Sequence, residues 1–171
     1  VLLAGFFFTF SVCSNGAAGN ISSSSSAINV TTLSNSVSYC DSKGNNSSYE
    51  WIDNVELGGM TNATGDNGGY ADFTSKTATL AVGSSNQMTV SAGFSSSSYT
   101  EHWAVWIDFN QNGTFESSEK VVTGSSSSAN NLTSTVDVPA GATLGTTRMR
   151  VSMKYNAAQT ACETFTYGEV E

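Results

Sequence analysis

A run of oxygen-bearing side chains follows the strand-like stretch WAVWIDF near the middle of the sequence. Asp108 opens the run, Gly113 allows a turn, and Glu119 ends it, with the spacing D-x-N-x-N-G-x5-E. Alternate side chains on a tight loop converge on one point, which suits a calcium ion with about six to eight oxygen ligands. The spacing therefore predicts a calcium-binding loop. Its predicted ligands are the side chains of Asp108, Asn110, Asn112 and Glu119 and the backbone carbonyl of Thr114.

An ion-free hairpin loop is the alternative interpretation of this run, because Asn112-Gly113 is typical of a hairpin tip. The flanking residues are strand-like, so either kind of loop joins two strands and not two helices. Asparagine at both middle positions lowers the charge of the ligand set. If calcium binds, we therefore expect a weak affinity in the range of extracellular proteins.

Catalytic groups are not selected by any motif. His102 is the one histidine of the chain, and no G-x-S-x-G motif selects a serine nucleophile to pair with it. Paired carboxylates for glycoside hydrolysis could be built from acidic residues such as Glu50, Asp53, Asp72 and Glu101, but nothing in their spacing selects a pair. We expect that the protein is not an enzyme.

Aromatic residues offer a second kind of site, because exposed rings stack on sugars. Trp103 and the region around Tyr70 are the candidate contacts to a glycan. Trp51 and Trp106 lie within apolar strand runs, so a role in the core is the better interpretation for these two.

The elements that must position these residues are short apolar runs separated by Gly, Asn and Ser clusters, with no helical period. The predicted strands are 49–57, 78–82, 87–92, 102–109, 120–123, 132–138 and 146–155. Strands at this spacing predict an all-β protein, an antiparallel β-sandwich.

Composition excludes one class of function. The chain has 171 residues, of which 39% are hydrophobic, enough for one well-filled domain. Its net charge is −8 with six basic residues, whereas nucleic-acid binding depends on clustered Lys and Arg. We expect no nucleic-acid partner.

The amino-terminal apolar run, VLLAGFFFTFSVC, is shorter than the roughly 20 residues of a membrane-spanning helix, so we do not expect a transmembrane protein. It has two interpretations, the remnant of a secretion signal or an aromatic strand with Phe6, Phe8, Phe10 and Val12 on one face. The predicted organisation is an apolar segment 1–16, a serine-rich linker 17–36 and a β-sandwich 37–171.

Three cysteines are too few and too widely spaced for a zinc site. Cys40 and Cys162 flank most of the predicted sandwich and could form a disulfide in an oxidising compartment. Cys13 then remains without a partner.

Several motifs together resemble the GEVED domain family. They are Tyr39-Cys40, SYEWIDNVELGGMTNATGDNGGYADFT, VWIDFNQNGTFESSEKV, VPAGATLGTTRMRVSMKY, Cys162 and the closing Gly168-Glu169-Val170-Glu171, and they cover about residues 38–171. The resemblance implies a secreted bacterial β-sandwich without a recognised activity of its own, and it implies a Cys40–Cys162 disulfide. The family's W-I-D-x-N-x-D-G-x-F pattern is kept, except that Asn112 replaces an aspartate.

The chain ends before the aspartate that closes the family motif, so we expect a final strand that is missing or short. Such a sandwich would accept a strand from another subunit, and residues 1–13 are the candidate donor. Repeated head to tail, this contact yields a fibre. We therefore expect an extracellular or cell-surface subunit that self-associates into a polymer. The alternative is a glycan-binding adhesion module accessory to a secreted hydrolase.

Overall fold

The computed structural model describes residues 37–171. The predictions made for the apolar segment 1–16 and the linker 17–36, including Phe6, Phe8, Phe10, Val12 and Cys13, lie outside the described residues. Among residues 37–171, no helix is long and apolar enough to cross a membrane.

Nine strands and one short 3₁₀ turn make up the regular structure of this part of the chain. The strands are β1 (Lys43–Asn46), β2 (Glu50–Leu57), β3 (Met60–Ala63), β4 (Ser85–Phe94), β5 (Glu101–Ile107), β6 (Lys120–Ser126), β7 (Leu132–Asp137), β8 (Met149–Tyr155) and β9 (Thr164–Val170); the 3₁₀ turn is Ser117–Glu119. They form a five-stranded sheet, β1-β9-β8-β5-β6, and a four-stranded sheet, β3-β2-β4-β7. All pairs are antiparallel except β1 with β9. The predicted all-β sandwich is confirmed.

Alternating apolar side chains place the core between the two sheets. On β5, Trp103, Val105 and Ile107 are all buried and belong to the same hydrophobic cluster as Ile52 and Leu57 of β2. Side chains two residues apart share a face of a strand, so this alternation fixes which side of each sheet turns inward. Burial of such side chains contributes roughly 1.5–3 kcal/mol each.

The strand predictions hold for six of seven segments. Residues 78–82 do not form a strand; Ala78 and Leu80 pack against the core, and Thr79 N donates a hydrogen bond to Gly58 O over 3.0 Å. Segments β1, β3 and β9 were not predicted. The four-residue β1 has the sequence KGNN, which carries no apolar alternation, and it forms because it pairs with the distant β9.

The final strand is present, contrary to the prediction. β9 is seven residues long and lies between β8 and β1, and Glu171 continues its pairing through hydrogen bonds with Val151 in both directions (2.8 and 2.9 Å). Tyr70 makes a further bridge to Val170. An acceptor edge created by a missing last strand is therefore not a feature of this sandwich.

Candidate functional site

The loop after β5 is built around the buried carboxylate of Asp108, which is 0% exposed. Its Oδ2 accepts hydrogen bonds from the Tyr39 hydroxyl (2.8 Å) and from Gly113 N (2.9 Å), and its Oδ1 accepts one from Asn112 N (3.2 Å). Gly113 has φ +84°, a conformation that favours glycine. Asp108 thus holds the loop in a tight turn against the segment that contains Tyr39.

Glu119 closes the other end of the loop in the same way. Its Oε1 accepts hydrogen bonds from Phe109 N (2.9 Å) and Asn110 N (3.3 Å), and its Oε2 accepts one from Glu116 N (3.1 Å). Glu119 is itself buried. Both carboxylates of the predicted calcium set therefore accept backbone N–H groups, which offsets the cost of burying them.

The two asparagines of the set also serve the loop itself. Asn110 Oδ1 accepts from Asn112 N (3.0 Å), Asn112 Oδ1 accepts from Thr114 N (2.8 Å), and both side-chain amides donate to Glu116. Within residues 37–171 no group of three or more His, Cys, Asp or Glu side chains is arranged to hold a metal ion. The donor types suit calcium, but these hydrogen bonds also suffice to hold the loop without an ion. Calcium binding remains a prediction.

The disulfide between Cys40 and Cys162 is confirmed, with 5.5 Å between the two Cα atoms. Arg150 reinforces this junction, because its Nη2 donates to Cys40 O (2.6 Å) and its Nη1 donates to Ala161 O (2.5 Å). The guanidinium also lies 4.8 Å from the ring centre of Phe115. Burial lowers the pKa of Arg150, but the side chain remains a cation at neutral pH.

Trp103 is buried, with 4% of its surface exposed, in the core between the sheets. The prediction that it contacts a glycan is wrong, because its position on β5 points it inward with Val105 and Ile107. Tyr70 is 46% exposed, so its side chain is accessible to a ligand.

A cluster of aromatic rings at one end of the sandwich was not predicted. Tyr49 and Tyr167 pack edge to face at 5.8 Å between ring centres, Tyr167 and Tyr155 at 6.2 Å, Tyr155 and Tyr99 at 5.7 Å, and Tyr99 and Phe94 at 6.5 Å. We call these five residues the tyrosine cluster. Tyr49 is 47%, Tyr155 is 39% and Tyr167 is 38% exposed. The rings come from β4, β8 and β9 and from residues just before β2 and β5, so no local pattern in the sequence brings them together.

Two carboxyl groups in the interior contain buried oxygen atoms without hydrogen-bond partners. Glu50, at the start of β2, is 2% exposed, and Glu101, at the start of β5, is 0% exposed. Glu50 Oε1 and both oxygens of Glu101 lack a hydrogen-bond partner. Burial raises the pKa of Glu50 to about 7, and burial together with the charge of Glu50 raises the pKa of Glu101 to about 8. Both groups are closed off from solvent.

A groove of about 890 Å³ is lined by residues of both sheets. Its floor includes Val55 and Leu57 of β2, Ile107 of β5 and Val151 of β8, all of them core residues. Irregular segments of the chain, including residues 70–74 and 142–148, form much of its walls.

The rim of this groove carries exposed apolar side chains. Val37 is 38%, Val82 is 40% and Leu144 is 82% exposed, and all three line the groove, as Tyr70 does. The exposed large hydrophobic residues of the described chain thus fall into two places, this groove and the tyrosine cluster. Such patches mark interaction surfaces more often than isolated apolar side chains do.

Polar groups line one side of the groove. Glu171 accepts hydrogen bonds from Thr64 Oγ1 (2.8 Å) and Asn62 Nδ2 (3.0 Å), and burial raises its pKa to about 7. Asn62 is 3% exposed, and its Oδ1 has no hydrogen-bond partner. The groove therefore contains a buried acceptor that nothing in residues 37–171 satisfies.

Comparison with known proteins gives one match. No curated protein and no solved structure matches the chain. The model of the GEVED domain matches residues 102–171, from β5 through β9. This span includes the loop of Asp108, the cysteine Cys162 and the closing Gly-Glu-Val-Glu. The chain therefore carries a GEVED domain over residues 102–171.

Proposed function

We propose that the protein is a non-catalytic, extracellular structural subunit of bacteria that polymerises by β-strand addition. In this proposal, residues 1–13 of one copy are the donor strand and the sandwich of the next copy is the acceptor. A contact of this kind uses different surfaces on the two copies, so it repeats head to tail and builds a fibre. The product is a surface filament or a pilus-like fibre.

The observation that carries the proposal is the groove between the sheets. It reaches the core residues Val55, Leu57, Ile107 and Val151, and its rim exposes Val82 and Leu144. An extended segment with an aromatic face, such as Phe6, Phe8 and Phe10 provide, would bury its rings there. Backbone pairing supplies affinity in β-strand addition, and pockets for alternate side chains supply specificity.

The covalent framework is consistent with an extracellular location. The Cys40–Cys162 bond closes a span of 122 residues, and such bonds persist in oxidising compartments. A calcium ion held by Asp108, Asn110, Asn112, Thr114 and Glu119 would stabilise the subunit further, as a supporting feature of the proposal.

Deletion of residues 1–16 tests the proposal. We expect the full chain to form filaments in negative-stain electron microscopy and the truncated protein to elute as a folded monomer in size-exclusion chromatography. Circular dichroism checks that the truncated protein retains its β-sheet signal. A truncated protein that polymerises as well as the full chain would refute the donor role.

A matched pair of substitutions distinguishes strand insertion from nonspecific hydrophobic association. Phe8→Ser and Phe7→Ser remove the same side chain from adjacent positions, which lie on opposite faces of a strand. We expect Phe8→Ser to weaken assembly far more than Phe7→Ser. Equal effects would point to a hydrophobic tail without a defined face.

A second candidate function, binding of a glycan as an adhesion module, is favoured by the tyrosine cluster. Three of its rings are exposed side by side, and tyrosine offers both an apolar face and a hydroxyl to a sugar. Tyr155→Ala should abolish retention on a polysaccharide array that the wild type binds, whereas Tyr70→Ala tests the groove rim. No retention of the wild type on any polysaccharide would count against this function.

A further inference from the structure

The acceptor edge for strand addition is identified by the geometry of β3. This strand lies at the edge of the four-stranded sheet and is paired with β2 alone among residues 37–171. Met60 and Asn62 of β3 line the groove, while Thr61 and Ala63 are exposed on the other face. A strand added beside β3 would therefore place every second side chain toward the groove.

The hairpin that joins β2 to β3 determines which backbone groups of β3 are free. Leu57 pairs with Met60 across the two-residue turn Gly58-Gly59, whose φ angles are +52° and +82°. Residues that flank such a turn exchange hydrogen bonds, and the pattern then alternates along the ladder. Met60 and Asn62 thus direct their backbone groups to β2, and Thr61 and Ala63 direct theirs away from it.

A contact on the open side supports this assignment. Lys76 Nζ donates a hydrogen bond to Thr61 O over 3.0 Å, which requires that this carbonyl point away from β2. A lysine at an open strand edge also discourages indiscriminate pairing. Within residues 37–171 the edge has no strand partner on this side, although Lys76 contacts it at Thr61 and Thr79 contacts the turn at Gly58.

Asn62 provides the second feature of the acceptor. Its Nδ2 is used by Glu171 (3.0 Å), but its Oδ1 is buried and unpaired. An unsatisfied buried acceptor destabilises the fold until a donor reaches it. Backbone N–H groups of an incoming strand are donors of the required kind.

We propose that residues 1–13 of a second copy pair with the open edge of β3, through the backbone groups of Thr61 and Ala63, and insert alternate side chains into the groove. The proposal rests on the proposed function. The donor segment VLLAGFFFTFSVC has no charged residue, which matches an apolar floor.

Thr61→Pro in the full chain tests the assigned edge, with Thr61→Ala as its control. Proline removes the outward N–H without removing a bond to β2, and edge strands tolerate it there. The alanine variant keeps the N–H and loses the same side chain. We expect Thr61→Pro to raise the critical concentration for assembly at least about tenfold, since each pairing bond lost costs about that factor, and Thr61→Ala to change it little.

Hydrogen exchange of the unmodified protein is the second measurement. The amides of Thr61 and Ala63 should exchange at least about tenfold more slowly in filaments than in the dispersed subunit. If Thr61→Pro loses its β-sheet signal, this comparison alone decides the assignment.

The outcomes distinguish the two proposals. If deletion of residues 1–16 abolishes assembly, but Thr61→Pro assembles like Thr61→Ala and the two amides gain no protection, strand addition stands and the β3 edge is the wrong acceptor. If the deleted protein still assembles, the proposed function itself fails. Protection of both amides in filaments, together with loss of assembly in Thr61→Pro, supports the β3 edge.

Discussion

The buried carboxyl group of Glu101 should make the free energy of unfolding depend on pH. Its carboxyl group is 0% exposed, and neither oxygen has a hydrogen-bond partner. Burial, and then the charge of Glu50 on β2, raises its pKa from 4.5 to about 8. Ser126 on β6 and Tyr155 on β8 lie opposite Glu101 in the sheet and bring no charge pair to it. The folded protein therefore keeps a proton on Glu101 that the unfolded chain releases.

The sign of the effect follows from proton binding. Since the folded state binds the extra proton, the free energy of unfolding falls as the pH rises from about 4.5 to about 8. The stability contributed by this proton is fully present below the unfolded-state pKa of 4.5 and is lost above the folded-state pKa of about 8. At about 1.4 kcal/mol per pH unit, the loss amounts to about 5 kcal/mol for Glu101. Glu50 and Glu171, whose pKa values are raised to about 7, act in the same direction.

Glu101→Gln removes the titratable carboxyl group, and with it the pH dependence that Glu101 adds to the free energy of unfolding, while keeping the size of the side chain. Near pH 4.5 the variant should unfold with the same free energy as the wild type. Above pH 8 it should be more stable than the wild type by up to about 5 kcal/mol. Urea unfolding followed by tryptophan fluorescence, in the presence of a chelator, measures both proteins across this pH range.

Glu163→Gln is the matched control, because it removes the same charge from a partly exposed site. Burial by itself raises the pKa of Glu163, but hydrogen bonds from Lys154 and Thr160 outweigh it and lower the pKa. Its contribution therefore lies below the pH range of the test, and the slope of stability against pH should match that of the wild type. Equal slopes for wild type and Glu101→Gln would refute a protonated Glu101 in the folded core.

Three further predictions concern the disulfide, the loop and the core. Replacing Cys40 and Cys162 by serine should lower the free energy of unfolding by about 5 kcal/mol, because the bond closes a long span of chain; denaturant unfolding that shifts by less than about 1 kcal/mol would contradict this. Calcium should raise the melting temperature with concentration, more strongly in Asn112→Asp, which adds a carboxylate to the loop; melts unchanged by calcium or chelator, with no ion in elemental analysis, would remove calcium from the account. Trp103→Ala should cost about 3–5 kcal/mol of stability, measured by urea unfolding, and a loss below about 1 kcal/mol would contradict its place in the core.

The sequence was informative where structure depends on nearby residues. The period-two runs located β2, β4, β5, β6, β7 and β8 because their apolar alternation matches burial on one face of a sheet. The resemblance of separated motifs implied the Cys40–Cys162 pairing, which the structure contains. The oxygen-rich spacing of Asp108 to Glu119 identified a tight loop between strands, and these two carboxylates do hold it closed.

The prediction of a glycan contact for Trp103 was wrong. It rested on residue type alone, whereas Trp103 shares the inward face of β5 with Val105 and Ile107. Glu101 lies on that face as well. The alternation of β5 in the sequence predicts that Glu101 faces inward. It does not predict that the carboxyl group lacks a hydrogen-bond partner there.

By itself, then, the sequence determined the class of fold and the chemistry available in the central loop, because these follow from alternation and local spacing. The disulfide pairing was implied by the resemblance to a family. The tertiary structure alone decided that KGNN becomes a strand beside β9, that tyrosines from separate strands share one surface, and that β3 ends at an open edge over an apolar groove. These features depend on which distant segments pair and on which edges and side chains remain exposed after packing. The packing of the whole sandwich determines both, and no single stretch of chain does.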